Sequence, residues 1–251
     1  MNKHQSLWLV WQNAETRLFY HIGTLSFTNN QYEFYYTWQS ASGQKVKDAL
    51  ENGYMLHPSF PDLQKCYKAN ELFAAFDRRL PSEKRADFTQ IISELHLSAA
   101  PSKMELLEQT RGKLATDTYS FEKPLKVEND KLVTAFFVHG MRHQQDLPTN
   151  WADIVKMTNR VYLQAEPENP VDKNAIAIYA GMGTKLGFVP RFYATGISAL
   201  LKRGLQPTIQ VDTINDKSTP DWWLKVELKS NFNELSPEEL KQLDPLFEYV
   251  I

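Results

Sequence analysis

The sequence predicts an α+β protein in two parts: a β-meander with helices over residues 1–130, and a small β-barrel over residues 131–251. Residues 7–38 contain three apolar or alternating runs separated by polar turns, which is typical of an antiparallel meander. Between residues 71 and 107 the apolar residues recur at helical spacing instead. Beyond residue 131, six short segments rich in Val, Ile, Phe and Tyr follow one another closely, which favours a small barrel.

In the first part, Asn29 and Asn30 separate two of the strand-like runs. Asn tolerates the positive φ that a two-residue hairpin loop requires, so the pair predicts a tight turn. The polar, Pro-punctuated residues 41–63 predict irregular structure with one short strand at most. Ser102 and Glu105 have the spacing of a capping box, which predicts the start of a helix. Three helices are predicted in all, over residues 71–76, 85–95 and 104–107.

In the second part, a solvated turn at residues 128–131 marks the predicted boundary. The predicted strands cover residues 132–138, 160–165, 175–179, 185–189, 206–212 and 222–228. A helix over residues 191–202 interrupts them and ends before Gly204, a natural residue to follow a helix. Ser236 as N-cap, Pro237 at the first helical position and Glu239 at the third predict a final acidic helix.

Composition narrows the classes of function. The chain has 251 residues, a net charge of −2 and one cysteine, Cys66, which excludes an intramolecular disulfide and a Cys-based zinc site. No run of about eighteen apolar residues and no signal-peptide order at Met1–Ser6 are present, so we expect a cytoplasmic protein. Residues 131–230 carry 12 basic and 9 acidic side chains, and residues 231–251 carry 1 and 5. This distribution suits contact with a few phosphates better than coating of duplex DNA.

A motif in the second part is the most informative feature. Residues 169–176 read NPVDKNAI, and after a hairpin residues 186–191 read LGFVPR. Pro fixes φ, and Asp and Asn side chains can accept bonds from backbone amides two residues on. Turn chemistry alone therefore accounts for Asn169, Pro170 and Asn174. For Asp172, a role in shaping the turn and a role in binding a ligand are about equally well supported.

The block resembles the signature of HIRAN domains, an N-P-x-D-x-N-A-[IL] turn into a strand, a hairpin, a G-[YFH]-[VI] strand and a helix. Residues 137–142, FVHGMR, are similar to the first strand of that family. The resemblance covers about residues 136–228. It implies a small β-barrel of the OB or SH3-like type with one or two helices, which binds DNA.

The resemblance also implies a binding site for single-stranded or terminal DNA, including 3′ ends. The family's phosphate-binding Arg, its turn Asp and the basic residue of the following helix correspond to Arg142, Asp172 and Arg191. His143 and Val171 stand where the family has stacking tyrosines. Phe188 offers aromatic surface, as does Trp222 or Trp223 from the last strand. Core packing is the favoured interpretation for two of these three residues, because alternation along a strand points successive side chains to opposite faces. The candidate DNA-binding residues are Arg142, His143, Asp172, Lys173, Phe188, Arg191 and Trp222.

The first part is weakly similar to the N-terminal subdomain of HipA-type kinases, on the pattern LFxxFxxRLP at residues 72–81. The leading hypothesis is a non-catalytic bacterial DNA-binding protein in repair, defence or regulation, without metal or cofactor. The alternative is an interaction or regulatory subunit for a HipA-like kinase or toxin. No catalytic motif is found, and a nuclease built from scattered carboxylates such as Asp117, Glu122 and Asp172 is the enzyme alternative.

Overall fold

The computed structural model describes residues 5–39, 45–95, 97–243 and 246–250. The chain divides into two compact units, residues 1–124 and residues 125–251. The predicted boundary between residues 130 and 131 lies in a two-residue turn inside the second unit. No helix among the described residues has the length and apolar character that crossing a membrane requires.

The first unit is built on a five-stranded antiparallel sheet with the strand order β4-β3-β2-β1-β5. Its strands are β1 Gln5–Gln12, β2 Phe19–Thr28, β3 Gln31–Tyr36, β4 Tyr67–Ala69 and β5 Tyr119–Glu122. The predicted meander is confirmed. Thr28 pairs with Gln31, and Asn29 and Asn30 between them have φ of 51° and 59°, the positive values expected of this loop.

Short helices flank this sheet. They are α1 Val46–Glu51, α2 Ala74–Asp77, α3 Phe88–Glu94 and α4 Lys103–Thr110. The predicted capping box of α4 is present, because the Glu105 amide donates to Ser102 Oγ at 3.2 Å and the Ser102 amide to Glu105 Oε2 at 2.7 Å. The expectation of irregular structure over residues 41–63 is wrong at α1. This helix has only six residues and buries Val46 and Ala49, too short a pattern to show a period.

The second unit contains two sheets. Its strands are β6 Lys126–Glu128, β7 Lys131–Phe137, β8 Val161–Ala165, β9 Ile176–Ala180, β10 Thr184–Phe188, β11 Thr208–Ile214, β12 Leu224–Asn231 and β13 Glu248–Val250. One sheet has the order β10-β9-β8 and the other the order β11-β12-β7-β6-β13. A bridge between His139 and Phe188 joins them at one edge, and β11 lies beside β8 at the other. The sheets thus close into a small barrel, and the predicted α+β class is confirmed.

The described part of this unit also has three helices: α5 Trp151–Thr158, α6 Arg191–Lys202 and α7 Pro237–Leu243. α6 has the bounds that the sequence predicts, and α7 begins after Ser236, whose hydroxyl accepts from the Glu239 amide at 3.3 Å. α5 was not predicted. Two 3-10 helices lie at Met141–His143 and Pro220–Trp222.

Candidate nucleic-acid interface

The turn of residues 169–174 is held by its own side chains. Asn169 Oδ1 accepts from the amides of Val171 at 3.0 Å and Asp172 at 3.2 Å. Asp172 Oδ1 accepts from the Asn174 amide at 2.9 Å, and Asn174 Oδ1 accepts from Lys202 Nζ at 3.2 Å. The turn-shaping interpretation of Asn169 is therefore the one that the structure shows, and Asn174 ties the turn to the end of α6.

Asp172 has a second contact that the turn does not need. Its Oδ2 lies 3.3 Å from Nε of Arg191, the first residue of α6, and the two side chains are 12% and 21% exposed. One carboxylate oxygen thus fixes the turn while the other faces a guanidinium.

The motif glycine, Gly187, allows two backbones to approach closely. A Cβ at this position would lie 2.4 Å from the carbonyl oxygen of His139, nearer than any real contact. The approach lets the His139 amide donate to the Phe188 carbonyl at 2.9 Å and the Phe188 amide to the His139 carbonyl at 2.8 Å. This bridge holds the end of β10 against the segment that leads into the first 3-10 helix.

Arg142 and His143 lie on that 3-10 helix, and both side chains are exposed. Gly140, with φ of 73°, makes the turn that starts it. Arg142 Nε donates to His143 Nε2 at 3.0 Å, so the two candidate residues contact each other. The resemblance placed the arginine near the first strand, and the structure places it in this helix, after the strand.

The aromatic candidates are all partly exposed. The Phe188 ring lies under the ammonium of Lys185, with Nζ 4.4 Å from the centroid. Trp222 packs edge-to-face on Phe137, with ring centroids 4.7 Å apart. Trp223 stacks on Trp151 at 5.8 Å.

The expected place of Trp222 in the last strand is wrong. Trp222 belongs to the second 3-10 helix, because β12 begins only at Leu224. Pro220 starts that helix, at a position where its fixed φ fits and its missing N–H costs no helical hydrogen bond. Phe188, Trp222 and Trp223 are each partly buried. The second 3-10 helix lies beside the first, so Trp222 is close to the segment that carries Arg142.

Glu166 is a site residue that the sequence reasoning missed. Its carboxylate accepts from Lys185 Nζ, from Asn169 Nδ2 at 3.2 Å and from the Tyr179 hydroxyl at 3.5 Å. Burial alone would raise the pKa of Glu166, but the hydrogen bonds from Lys185 and Asn169 outweigh it and hold the pKa below its ordinary value. The motif block contains Glu166 and Asn169, but the other two partners, Tyr179 and Lys185, lie on β9 and β10, and the sequence does not show that they meet Glu166.

The structure therefore brings the motif segments to one edge of the barrel. Asp172 contacts Arg191, and Phe188 is bridged to the segment that leads into Arg142. Lys173, next to Asp172, is exposed. Within the described ranges, no three His, Cys, Asp or Glu side chains form a group able to hold a metal ion.

Comparison with known proteins places this site in a family. Residues 131–229 match the family model of the HIRAN domain, so the prediction from the turn motif is confirmed. No curated protein matches the chain. The match does not include residues 1–130, for which the similarity to HipA-type kinases stays a prediction.

Two solved structures are similar to the chain. A protein from Lactobacillus plantarum is 20% identical, with 40% of this chain and 96% of that chain covered and a TM-score of 0.32. The HIRAN domain of human HLTF is 19% identical, with 47% of this chain and 93% of that chain covered and a TM-score of 0.35.

Proposed function

We propose that the HIRAN domain formed by residues 131–229 binds single-stranded or terminal DNA and performs no catalysis. The observation that carries the proposal is the packing of Asp172 on Arg191 at the edge of the barrel where the Phe188 bridge leads into Arg142. A carboxylate, two guanidinium groups and an aromatic ring are thus held by a turn, two helices and a strand end of one compact unit. These are the groups that recognise a hydroxyl, phosphates and a base.

Arg142 is the phosphate-binding residue in this proposal. Its guanidinium is exposed, and a planar fork of donors matches phosphate oxygens in pairs. Lys173 is also exposed and supplies a second cation beside the turn. His143, Phe188 and Trp222 offer partly or fully exposed rings, on which bases stack without regard to sequence.

Asp172 and Arg191 are the residues that distinguish an end from an internal nucleotide. A terminal 3′-hydroxyl is a donor and can bond to the Asp172 carboxylate, whereas a phosphodiester or a 3′-phosphate has no such donor and repels it. Arg191 keeps the carboxylate in place and balances its charge.

Binding should be salt-sensitive and of moderate strength. Residues 131–230 carry 12 basic and 9 acidic side chains, a small excess that neutralises few phosphates.

The test is fluorescence anisotropy with labelled single-stranded oligonucleotides that end in a free 3′-hydroxyl or in a 3′-phosphate. We expect tighter binding of the free end and weaker binding at higher salt. Equal binding of both would keep single-strand binding but remove end recognition. Absence of binding to either would remove the DNA-binding function altogether.

Arg142→Ala is the first variant to measure. We expect weaker binding of every sequence and a salt slope reduced by about 1, with an unchanged melting temperature, because the side chain is exposed. Arg85→Ala is the matched control, since Arg85 is also exposed but lies in the first unit. A fall in melting temperature for Arg142→Ala would show a structural role and contradict the assignment.

A further inference from the structure

A row of large side chains crosses the face of the β8-β9-β10 sheet on which Phe188 lies. Tyr162 of β8 pairs in register with Tyr179 of β9, and Tyr179 pairs with Lys185 of β10. The two tyrosine rings are stacked, with centroids 5.5 Å apart and planes 15° apart. Both tyrosines are partly exposed.

Cations lie on the rings along the row. The guanidinium of Arg160, which is exposed, lies 5.6 Å from the centroid of Tyr162. At the other side, Lys185 Nζ lies over Phe188. The sequence of contacts across the sheet is therefore Arg160, Tyr162, Tyr179, Lys185 and Phe188, and we call it the aromatic row.

A bulge makes the row continuous with the candidate site. Residues three apart in a regular strand point to opposite faces, but the pairing of β10 shifts between Lys185 and Gly187. Phe188 therefore pairs with Ala177, which shares a face with Tyr179, and lies on the same face as Lys185. Phe188 also takes part in the bridge to His139, so one ring belongs to both the row and the site.

We propose that the aromatic row binds the unpaired nucleotides that precede the strand end held at Asp172, with bases against the rings and phosphates at Arg160. The proposal deepens the DNA-binding function and rests on it. Lys185 is neutralised by Glu166, so Arg160 is the principal charge of the row for a phosphate. Partly exposed aromatic rings with an exposed arginine at their end suit single-stranded nucleic acid, because every base has a face that stacks.

A purely structural role is the competing explanation, because cross-strand aromatic pairs also stabilise sheets. The test must therefore separate stacking on DNA from packing. Tyr162→Leu keeps an apolar side chain but removes the ring, whereas Tyr162→Phe keeps the ring. Tyr35→Leu, at an exposed tyrosine in a strand of the first unit, is the control.

The measurement is anisotropy with oligothymidylates of about two to about twelve nucleotides and a free 3′ end, within the range of lengths that such barrels contact. For the unaltered protein we expect affinity to rise with length. Tyr162→Leu should lower the affinity for the longer oligonucleotides by roughly tenfold and leave the dinucleotide unaffected. Tyr162→Phe and Tyr35→Leu should bind like the unaltered protein at all lengths.

The failure of the row and the failure of the proposed function are distinguishable. If the dinucleotide binds and longer strands bind no better, the proposed site at Asp172 is retained and the proposed binding by the aromatic row is overturned. Equal affinity of Tyr162→Leu and Tyr162→Phe for long strands would overturn it as well. A changed oligomeric state of Tyr162→Leu with unchanged DNA binding would overturn it too, and would show that this face is a contact between copies of the chain. Absence of binding at every length would remove the proposed function, and the row with it.

Discussion

Replacing Gly187 with alanine should open the barrel edge and weaken DNA binding together. The new Cβ would lie 2.4 Å from the His139 carbonyl oxygen and 2.9 Å from Val138 Cγ1. The nearest obstacle is backbone, so it cannot turn aside as the end of a side chain can. The two strands must move apart by about 1 Å to reach ordinary contact.

The cost follows from what that movement breaks. The two hydrogen bonds between His139 and Phe188, at 2.9 Å and 2.8 Å, would be lost, each worth about 0.5–1.5 kcal/mol net. Crowding a packed site adds about 1–3 kcal/mol. We expect the free energy of unfolding to fall by roughly 3 kcal/mol. Because Arg142 follows the bridge by three residues, its position relative to Phe188 should also change.

Urea unfolding followed by circular dichroism measures the first effect, and oligonucleotide anisotropy measures the second. Gly196→Ala is the matched control in the same unit. Its Cβ would meet Leu125 Cδ1 at 2.7 Å, the end of a flexible side chain, and alanine favours a helix over glycine by about 1 kcal/mol. That variant should therefore stay close to the unaltered protein. Gly187→Ala within about 0.5 kcal/mol of the unaltered protein would refute the reasoning.

Three further predictions concern charged groups. Burial lowers the pKa of His21 well below 6.5, so on acidification the unfolded chain binds a proton at this histidine before the folded protein does. The free energy of unfolding should therefore fall as pH drops below about 6.5. Urea titrations of His21→Gln should show a smaller fall. Glu122 and Arg111 form an ion pair with side chains 9% and 6% exposed; Glu122→Ala should cost about 3–5 kcal/mol in the same assay, and a negligible loss would contradict the pairing. The lowered pKa of Glu166 adds stability that is present above about pH 4.5 and lost as pH falls through the folded value; Glu166→Gln should show a shallower acid transition by circular dichroism.

Sequence reasoning succeeded where local chemistry decides the structure. The Asn29 and Asn30 loop, the Ser102 cap and the start of α7 each depend on residues within one turn, and all three are observed. The bounds of α6 also follow locally, from Pro190 before it and Gly204 after it, whose φ is 80°.

It failed where a distant partner decides. α5 buries Trp151 and Val155, and Trp151 stacks on Trp223 from a segment far along the chain. Five of the eight residues of α5 are apolar, but a segment this short is compatible with strand, helix or loop until that partner is known.

The site was predicted in part for the same reason. The motif identified Asp172 and Arg191 as separate candidate residues, but it did not predict the contact between them. Glu166 with Lys185, and Tyr162 with Tyr179, are cross-strand pairs set by register and by the bulge in β10. One residue of slip would place these side chains on opposite faces, and no local pattern fixes that register.

The bridge between His139 and Phe188 has a thermodynamic consequence. Along a strand ladder each bond is supported by the next, whereas this junction of the two sheets is an isolated pair of bonds. Local opening there requires less free energy than opening β7 from β12, which pair over seven residues. A strand of DNA that contacted both Phe188 and Arg142 would span this bridge. Its binding free energy would add to the free energy that holds the two sheets together there. DNA binding and closure of the barrel at this bridge would then be thermodynamically coupled, so that each would favour the other.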